Sequence, residues 1–116
     1  VRGSDFFTLH VKFEELYTEL QLQIDAIAER ILTLRGTPLH AYSDFTKVSS
    51  IKEDKNVSDG RACVQGVLTG LTMLVGKQRE VIEAAEQAED QGTADLLTGY
   101  VQAQEKLVWM YNAYLG

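Results

Sequence analysis

Cysteine, proline and tryptophan each occur once among these 116 residues. Cys63 has no second cysteine to join, so no internal disulfide can form, and its simplest role is a small core residue in a reducing compartment. Positive charge is also scarce. With 11 basic residues against 17 acidic ones the net charge is −6, which argues against a nucleic-acid-binding body, because phosphate binding needs clustered lysine and arginine. Cations are the expected partners. No apolar run reaches the roughly 18 residues of a membrane span, and no signal-peptide pattern opens the chain, so a soluble, unexported, cytoplasmic protein is expected. Strand alternation, a glycine-rich phosphate loop, a CxxC pair and a Ser/His/Asp constellation are all missing, which leaves an all-α chain.

What is present is an ordinary globular composition, 45% hydrophobic and 24% charged, enough for one domain over residues 1–116. The chain opens on Val1, and residues 1–5 read as the tail of a loop, so the domain is expected to be N-terminally incomplete. A first long helix is expected over residues 5–35, with Ser4 or Asp5 as its N-cap and Gly36-Thr37-Pro38 as its stop. Leu9, Phe13, Leu16, Leu20, Ile24, Ile27, Ile31 and Leu34 recur along it at three- and four-residue steps, the stripe of an amphipathic helix packed into a core. In the connection that follows, residues 42–50 suit a short helix and residues 52–55 are charged and solvated. A second long helix is expected over residues 58–90, burying Val64, Val67, Leu71, Leu74, Val81 and Ala85 and ending at Gly92. Gly66 and Gly70 share one of its faces and predict a close backbone approach. The last helix is expected over residues 93–115, capped by Thr93 or Gly92, with Leu97, Val101, Leu107, Val108, Tyr111 and Leu115 facing in.

The chemistry lies on the first helix. His10 and Glu14 are four residues apart, as are Asp25 and Glu29, so each pair projects from one side within about one turn and could hold a metal ion. At 100° per residue the four span roughly a 100° arc centred about 135° from the apolar stripe, so they do not face the chain's own core. Phe7, Val11, Leu22, Ala28 and Leu32 share that arc, which predicts that this face meets another chain. His10 and Asp25 lie 15 residues apart, which a helical rise converts to roughly 22 Å. One helix cannot close a site over that distance. An antiparallel copy crossing near Glu19 would set His10 and Glu14 against the second chain's Asp25 and Glu29, and symmetry would make two such sites. Imidazole mixed with carboxylate suits iron. Acidic pairs at this spacing are also common on solvated helix faces, and spacing alone leaves that reading open.

The run Arg2-Gly3-x-x-Phe6-Phe7-x-Leu9-His10-x-x-Phe13-Glu14-Glu15-Leu16-Tyr17, followed by Ile24-Asp25-x-Ile27-Ala28-Glu29-Arg30, resembles the Dps family of miniferritins. Gly36-Thr37-Pro38, Gly92-Thr93-Ala94-Asp95-Leu96-Leu97 and Glu105-Lys106-x-x-Trp109-Met110 extend the resemblance over nearly the whole chain. It implies a ferritin-like four-helix bundle with a short extra helix in the long connection, the first bundle helix lying outside this chain or supplied by a separate polypeptide. It further implies a dodecameric shell that oxidises ferrous iron, usually with hydrogen peroxide, and stores it under oxidative stress. The ferroxidase ligands would be His10 and Glu14 of one subunit with Asp25 and Glu29 of its two-fold mate, at a di-iron or mixed-occupancy site. Glu14 stands where many relatives carry Asp, and a further ligand His belongs to the run just upstream of Val1. Iron would pass through acidic three-fold pores, for which Glu86, Asp90 and Asp95 are the candidates, by field focusing. A dipole role for Asp95 is the competing reading.

Trp109, Tyr111 and Tyr114 read as packing residues, Met73 and Met110 as core or interface filler, and His40 as a surface or interface residue. The rival function is a nucleoid-associated, DNA-compacting stress protein with a weak metal site, which would depend on basic tails that this acidic chain does not show.

Overall fold

An arginine, not a glycine, turns the chain out of the first long helix. In the computed structural model, which describes residues Val1–Gly116, α1 runs over Phe6–Thr33 with Leu34 at its C-cap. Arg35 takes the left-handed conformation, φ 67°. Its N–H donates to the Leu32 carbonyl at 2.9 Å and the Gly36 N–H donates to that of Ile31 at 2.8 Å, the paired bonds of a Schellman motif. The helix therefore stops just before the expected Gly36-Thr37-Pro38. Gly36 is still required, because a Cβ there would lie 2.9 Å from Ile31 Cγ2 and 3.3 Å from Ile31 O. At the other end Asp5 holds the N-cap position, but its side chain makes no capping bond. The turn is closed by the backbone, with the Phe6 N–H donating to the Gly3 carbonyl at 3.1 Å.

The short helix α2 spans Tyr42–Val48, two residues less than expected. The second long helix, α3, covers Gly60–Gln87 and is capped by Asp59, not by the Ser58 where it was expected to start, through a bond from the Ala62 N–H at 2.9 Å. The last helix, α4, covers Gln91–Leu115. The ends of α3 and the start of α4 also differ from expectation. Glu89, at φ 57°, forms a second Schellman turn, in which its N–H donates to Glu86 and the Asp90 N–H donates to Ala85 at 2.8 Å. Gly92, expected to end one helix or cap the next, lies inside α4, and Asp90 takes the capping role by accepting from the Thr93 N–H at 3.1 Å. Three long helices, one short helix and no strand make the chain all-α. None of these helices is long and apolar enough to cross a membrane.

The chain forms two compact units, Val1–Lys52 and Glu53–Gly116. The second is an antiparallel hairpin. Arg61 at the start of α3 donates to the Leu115 carbonyl at the end of α4, and Arg79 pairs with Glu105 nearer the turn. Val64, Leu68, Leu71, Val75 and Ala85 of α3 and Ala94, Leu97, Val101 and Tyr111 of α4 are buried. Val67, Leu74, Leu107, Val108 and Leu115 are only half-buried, and Val81, expected inside, is exposed. The displacement has a geometric cause: the buried row steps through Val64, Leu68, Leu71, Val75, Gln78 and Ala85, leaving Val81 off its axis. Two glutamines complete this core, Gln78 at 5% and Gln104 at 1% exposure. Gly66 answers a side chain, not another backbone: a Cβ there would lie 3.1 Å from Asp54 Oδ2. Cys63 is free and half-buried, its thiol within 3.6 Å of the Val57 carbonyl.

In the first unit Leu9 is buried, and Phe13, Leu16, Leu20, Ile27 and Ile31 are half-buried along the same stripe. Ile24 and Leu34, expected with them, are exposed. Ile24 lies about 45° from the centre of the stripe by helical phase, and Leu34 falls at the C-cap, where helical phase no longer holds. Gln23 takes a buried position that apolar periodicity did not predict.

Candidate metal centre

Residues 10 to 29 lie within one uninterrupted helix, so the spacing of the acidic and histidine side chains along α1 is that of regular α geometry. His10, Glu14, Asp25 and Glu29 are all exposed. The apolar residues that share their arc are exposed with them: Phe7 at 82%, Leu22 at 63%, Leu32 at 59% and Val11 at 51%. Ala28 is half-buried. A solvated helix face does not ordinarily carry four large apolar side chains among its charges.

Within this single chain no three His, Cys, Asp or Glu side chains converge on a point where a metal ion could sit. The two candidate pairs stay separated along the helix axis, and neither takes part in the Lys12–Glu15 salt bridge formed on α1 at 2.9 Å. Around Glu29 the backbone carbonyl accepts from the Thr33 hydroxyl at 2.8 Å, leaving the carboxylate out of that bond.

One neighbour of the candidate ligands carries no assignment from sequence reasoning. The Phe6 ring stacks on the His10 imidazole, with centroids 5.2 Å apart and planes inclined by 21°. The edge contact of Phe7 with Phe6, centroids 5.3 Å and planes at 75°, extends this into a ladder of three rings. The signal was the i,i+4 spacing of an aromatic residue and a histidine.

The acidic residues considered for an iron passage sit around the α3–α4 turn in different states. Asp90 is half-buried and caps α4: besides the Thr93 N–H it accepts from the Thr93 hydroxyl at 2.5 Å. The exposed Asp95 accepts from Gln91 Nε2 at 2.7 Å, and Glu86 is exposed. Elsewhere Tyr111 is buried and Tyr114 half-buried, in keeping with packing roles, whereas Trp109 is 66% exposed and is not a packing residue within this chain. Met73 and Met110 are partly exposed, not core, and His40 is exposed.

An all-α chain carrying histidine and carboxylate pairs on one helix belongs to the broad class of helical proteins with metal-ligand residue types on their helices, and comparison with known proteins narrows it. The ferritin family profile, described as a ferritin-like domain, matches residues 1–116. The chain is similar to the "DNA protection during starvation protein" of Porphyromonas gingivalis, 40% identical over 96% of this chain and 70% of that one. An uncharacterized protein of Haemophilus influenzae is 50% identical over 97% of this chain and 71% of its own length. Among solved structures, the Dps protein of Vibrio cholerae O1, described as a member of a broad superfamily of ferritin-like diiron-carboxylate proteins, superposes with a TM-score of 0.97 at 48% identity, covering 100% of this chain and 73% of that one. The Bacillus brevis Dps protein gives 0.96 at 39% identity, covering 99% of this chain and 77% of that one. The chain belongs to the Dps miniferritins of the ferritin-like family.

Proposed function

We propose that this chain is a ferroxidase and iron-storage subunit, working in the cytoplasm as part of a homo-oligomeric shell of twelve copies. The observation that carries the reading is the exposed face of α1, on which His10, Glu14, Asp25 and Glu29 alternate with Phe7, Val11, Leu22 and Leu32. Apolar residues on that face favour burial against a second copy. The roughly 22 Å between His10 and Asp25 requires that copy to run antiparallel if the two pairs are to share a metal. His10 and Glu14 of one subunit and Asp25 and Glu29 of its mate would then bind ferrous iron as substrate at two equivalent sites.

The chemistry follows from the donor set. Imidazole accommodates the ferrous ion, and the carboxylates, as hard anionic oxygens, favour the ferric product, so oxidation is assisted where both are present. Hydrogen peroxide takes one electron from each of two ferrous ions; with two protons its O–O bond is cleaved to two molecules of water, leaving two ferric ions to hydrolyse and be stored. Protection of DNA then needs no DNA contact, since peroxide and ferrous iron are removed together. A chain of net charge −6 is poorly suited to hold phosphate directly. Exposed Glu86 and Asp95 are retained as candidates for an iron passage, while the geometry of Asp90 favours capping.

The test is iron oxidation by peroxide, followed by absorbance on protein whose size is measured in the same sample. Fast oxidation that disappears in Asp25→Ala/Glu29→Ala, with helicity unchanged, supports the reading. Unchanged kinetics in that variant would remove these residues from the site.

A further inference from the structure

Resting on the reading of His10 as a ligand, we propose that Phe6 is a positioning residue for the metal centre: its ring holds the His10 imidazole in one orientation and so strengthens metal binding at that histidine. The geometry supplies the mechanism. The two rings are nearly parallel, at 21°, with centroids 5.2 Å apart, within the range in which offset-stacked rings attract. A histidine coordinates through a lone pair in the plane of its ring, so a neighbour stacked on the ring's face restrains it without competing for the metal. Metal binding also draws charge out of the imidazole, and an electron-poor ring stacks more favourably on the negative face of a phenyl group. The stack therefore strengthens on coordination.

Phe6 itself is well anchored for this purpose. It is the first residue of α1, its N–H donates to the Gly3 carbonyl at 3.1 Å, and the next turn is closed by the Leu9 N–H on the Asp5 carbonyl at 2.9 Å. The Phe7 ring also meets the Phe6 ring in an edge-type contact, with centroids 5.3 Å apart. An exposed histidine otherwise samples several rotamers, and freezing them on coordination weakens binding. In this chain the stack restricts them beforehand.

The experiment compares the full chain, in its assembled form, with Phe6→Leu, Phe6→Tyr and His10→Ala. The probe is zinc, which binds without redox chemistry, titrated calorimetrically; cobalt absorption spectra and melting temperatures are measured alongside. Phe6→Leu is expected to weaken zinc binding roughly three- to tenfold, the worth of one aromatic pair, and to alter the cobalt spectrum with the melting temperature held. Phe6→Tyr, which keeps the ring, is expected to restore both. Wild-type affinity in Phe6→Leu, with binding weakened in His10→Ala, overturns the positioning role while leaving His10 a ligand. Equal losses in Phe6→Leu and Phe6→Tyr also overturn it, since the ring face would not be the cause. Unchanged binding in His10→Ala overturns both the ligand reading and this one.

Discussion

Gln78 and Gln104 exchange two hydrogen bonds across the α3–α4 hairpin: Gln78 Nε2 donates to Gln104 Oε1 at 2.6 Å and Gln104 Nε2 donates back to Gln78 Oε1 at 3.3 Å. Each amide thereby satisfies one donor and one acceptor in a place closed to water. Sliding one helix along the other by a turn would break both bonds, so the pair specifies the register of two faces that are otherwise aliphatic.

The pair is asymmetric in its response to substitution. Gln78→Leu leaves the Gln104 amide buried with bonds unmade and is expected to lower stability by about 1–3 kcal/mol. Gln78→Leu/Gln104→Leu removes both amides together and is expected to regain part of that loss, as matched apolar replacements do. Urea denaturation of the three proteins checks this; a double variant less stable than the single one would mean the amides serve more than each other.

Sharing of the metal site between subunits can be tested by mixing. His10→Ala and Asp25→Ala/Glu29→Ala should each be inactive in peroxide-driven iron oxidation. Co-refolded in equal amounts, half of the two-fold pairs are mixed, and each mixed pair has one intact site. Activity should return to about a quarter of wild type. No recovery on mixing would rule out a site built from His10 of one subunit and Asp25 and Glu29 of its mate.

The apolar face of α1 predicts a loss of assembly. Phe7→Glu combined with Leu22→Glu puts two charges among residues that are exposed in the single chain and would be buried between copies, where an unpaired charge is costly. Sedimentation should show species approaching the 13.0 kDa of one chain, with helical circular dichroism retained. An unchanged particle size would mean that this face is not an interface.

Capping and iron passage can be separated at Asp90. Asp90→Ala removes the bonds from the Thr93 N–H and hydroxyl and is expected to lower stability by roughly 1 kcal/mol. Asp90→Asn retains a capping oxygen while removing the charge, and should change the rate of iron uptake little. A large drop in uptake with stability intact would give Asp90 a place in the passage as well.

Much of this protein was legible in its sequence. The positions of the three long helices follow from apolar periodicity, and His10, Glu14, Asp25 and Glu29 fall together on the far side of α1 from its core stripe because an α-helix has a fixed rotation per residue. The ends were less legible. Glycines at 36 and 92 pointed to the helix stops, yet Arg35 and Glu89 take the left-handed positions, since backbone hydrogen bonds to the last open carbonyls offset the modest cost of a Cβ there.

The sequence by itself determined the helical class and the rotational placement of the candidate ligands, because both depend only on local geometry and the order of residues. Tertiary structure decided which members of each apolar row are buried, so that Val81 and Ile24 stay in solvent while Gln23, Gln78 and Gln104 lie inside. Periodicity scores a glutamine as polar and therefore as exposed. A partner brought from 26 residues away, with its own donor and acceptor in register, favours burial of Gln78 and Gln104, and no local pattern records that encounter.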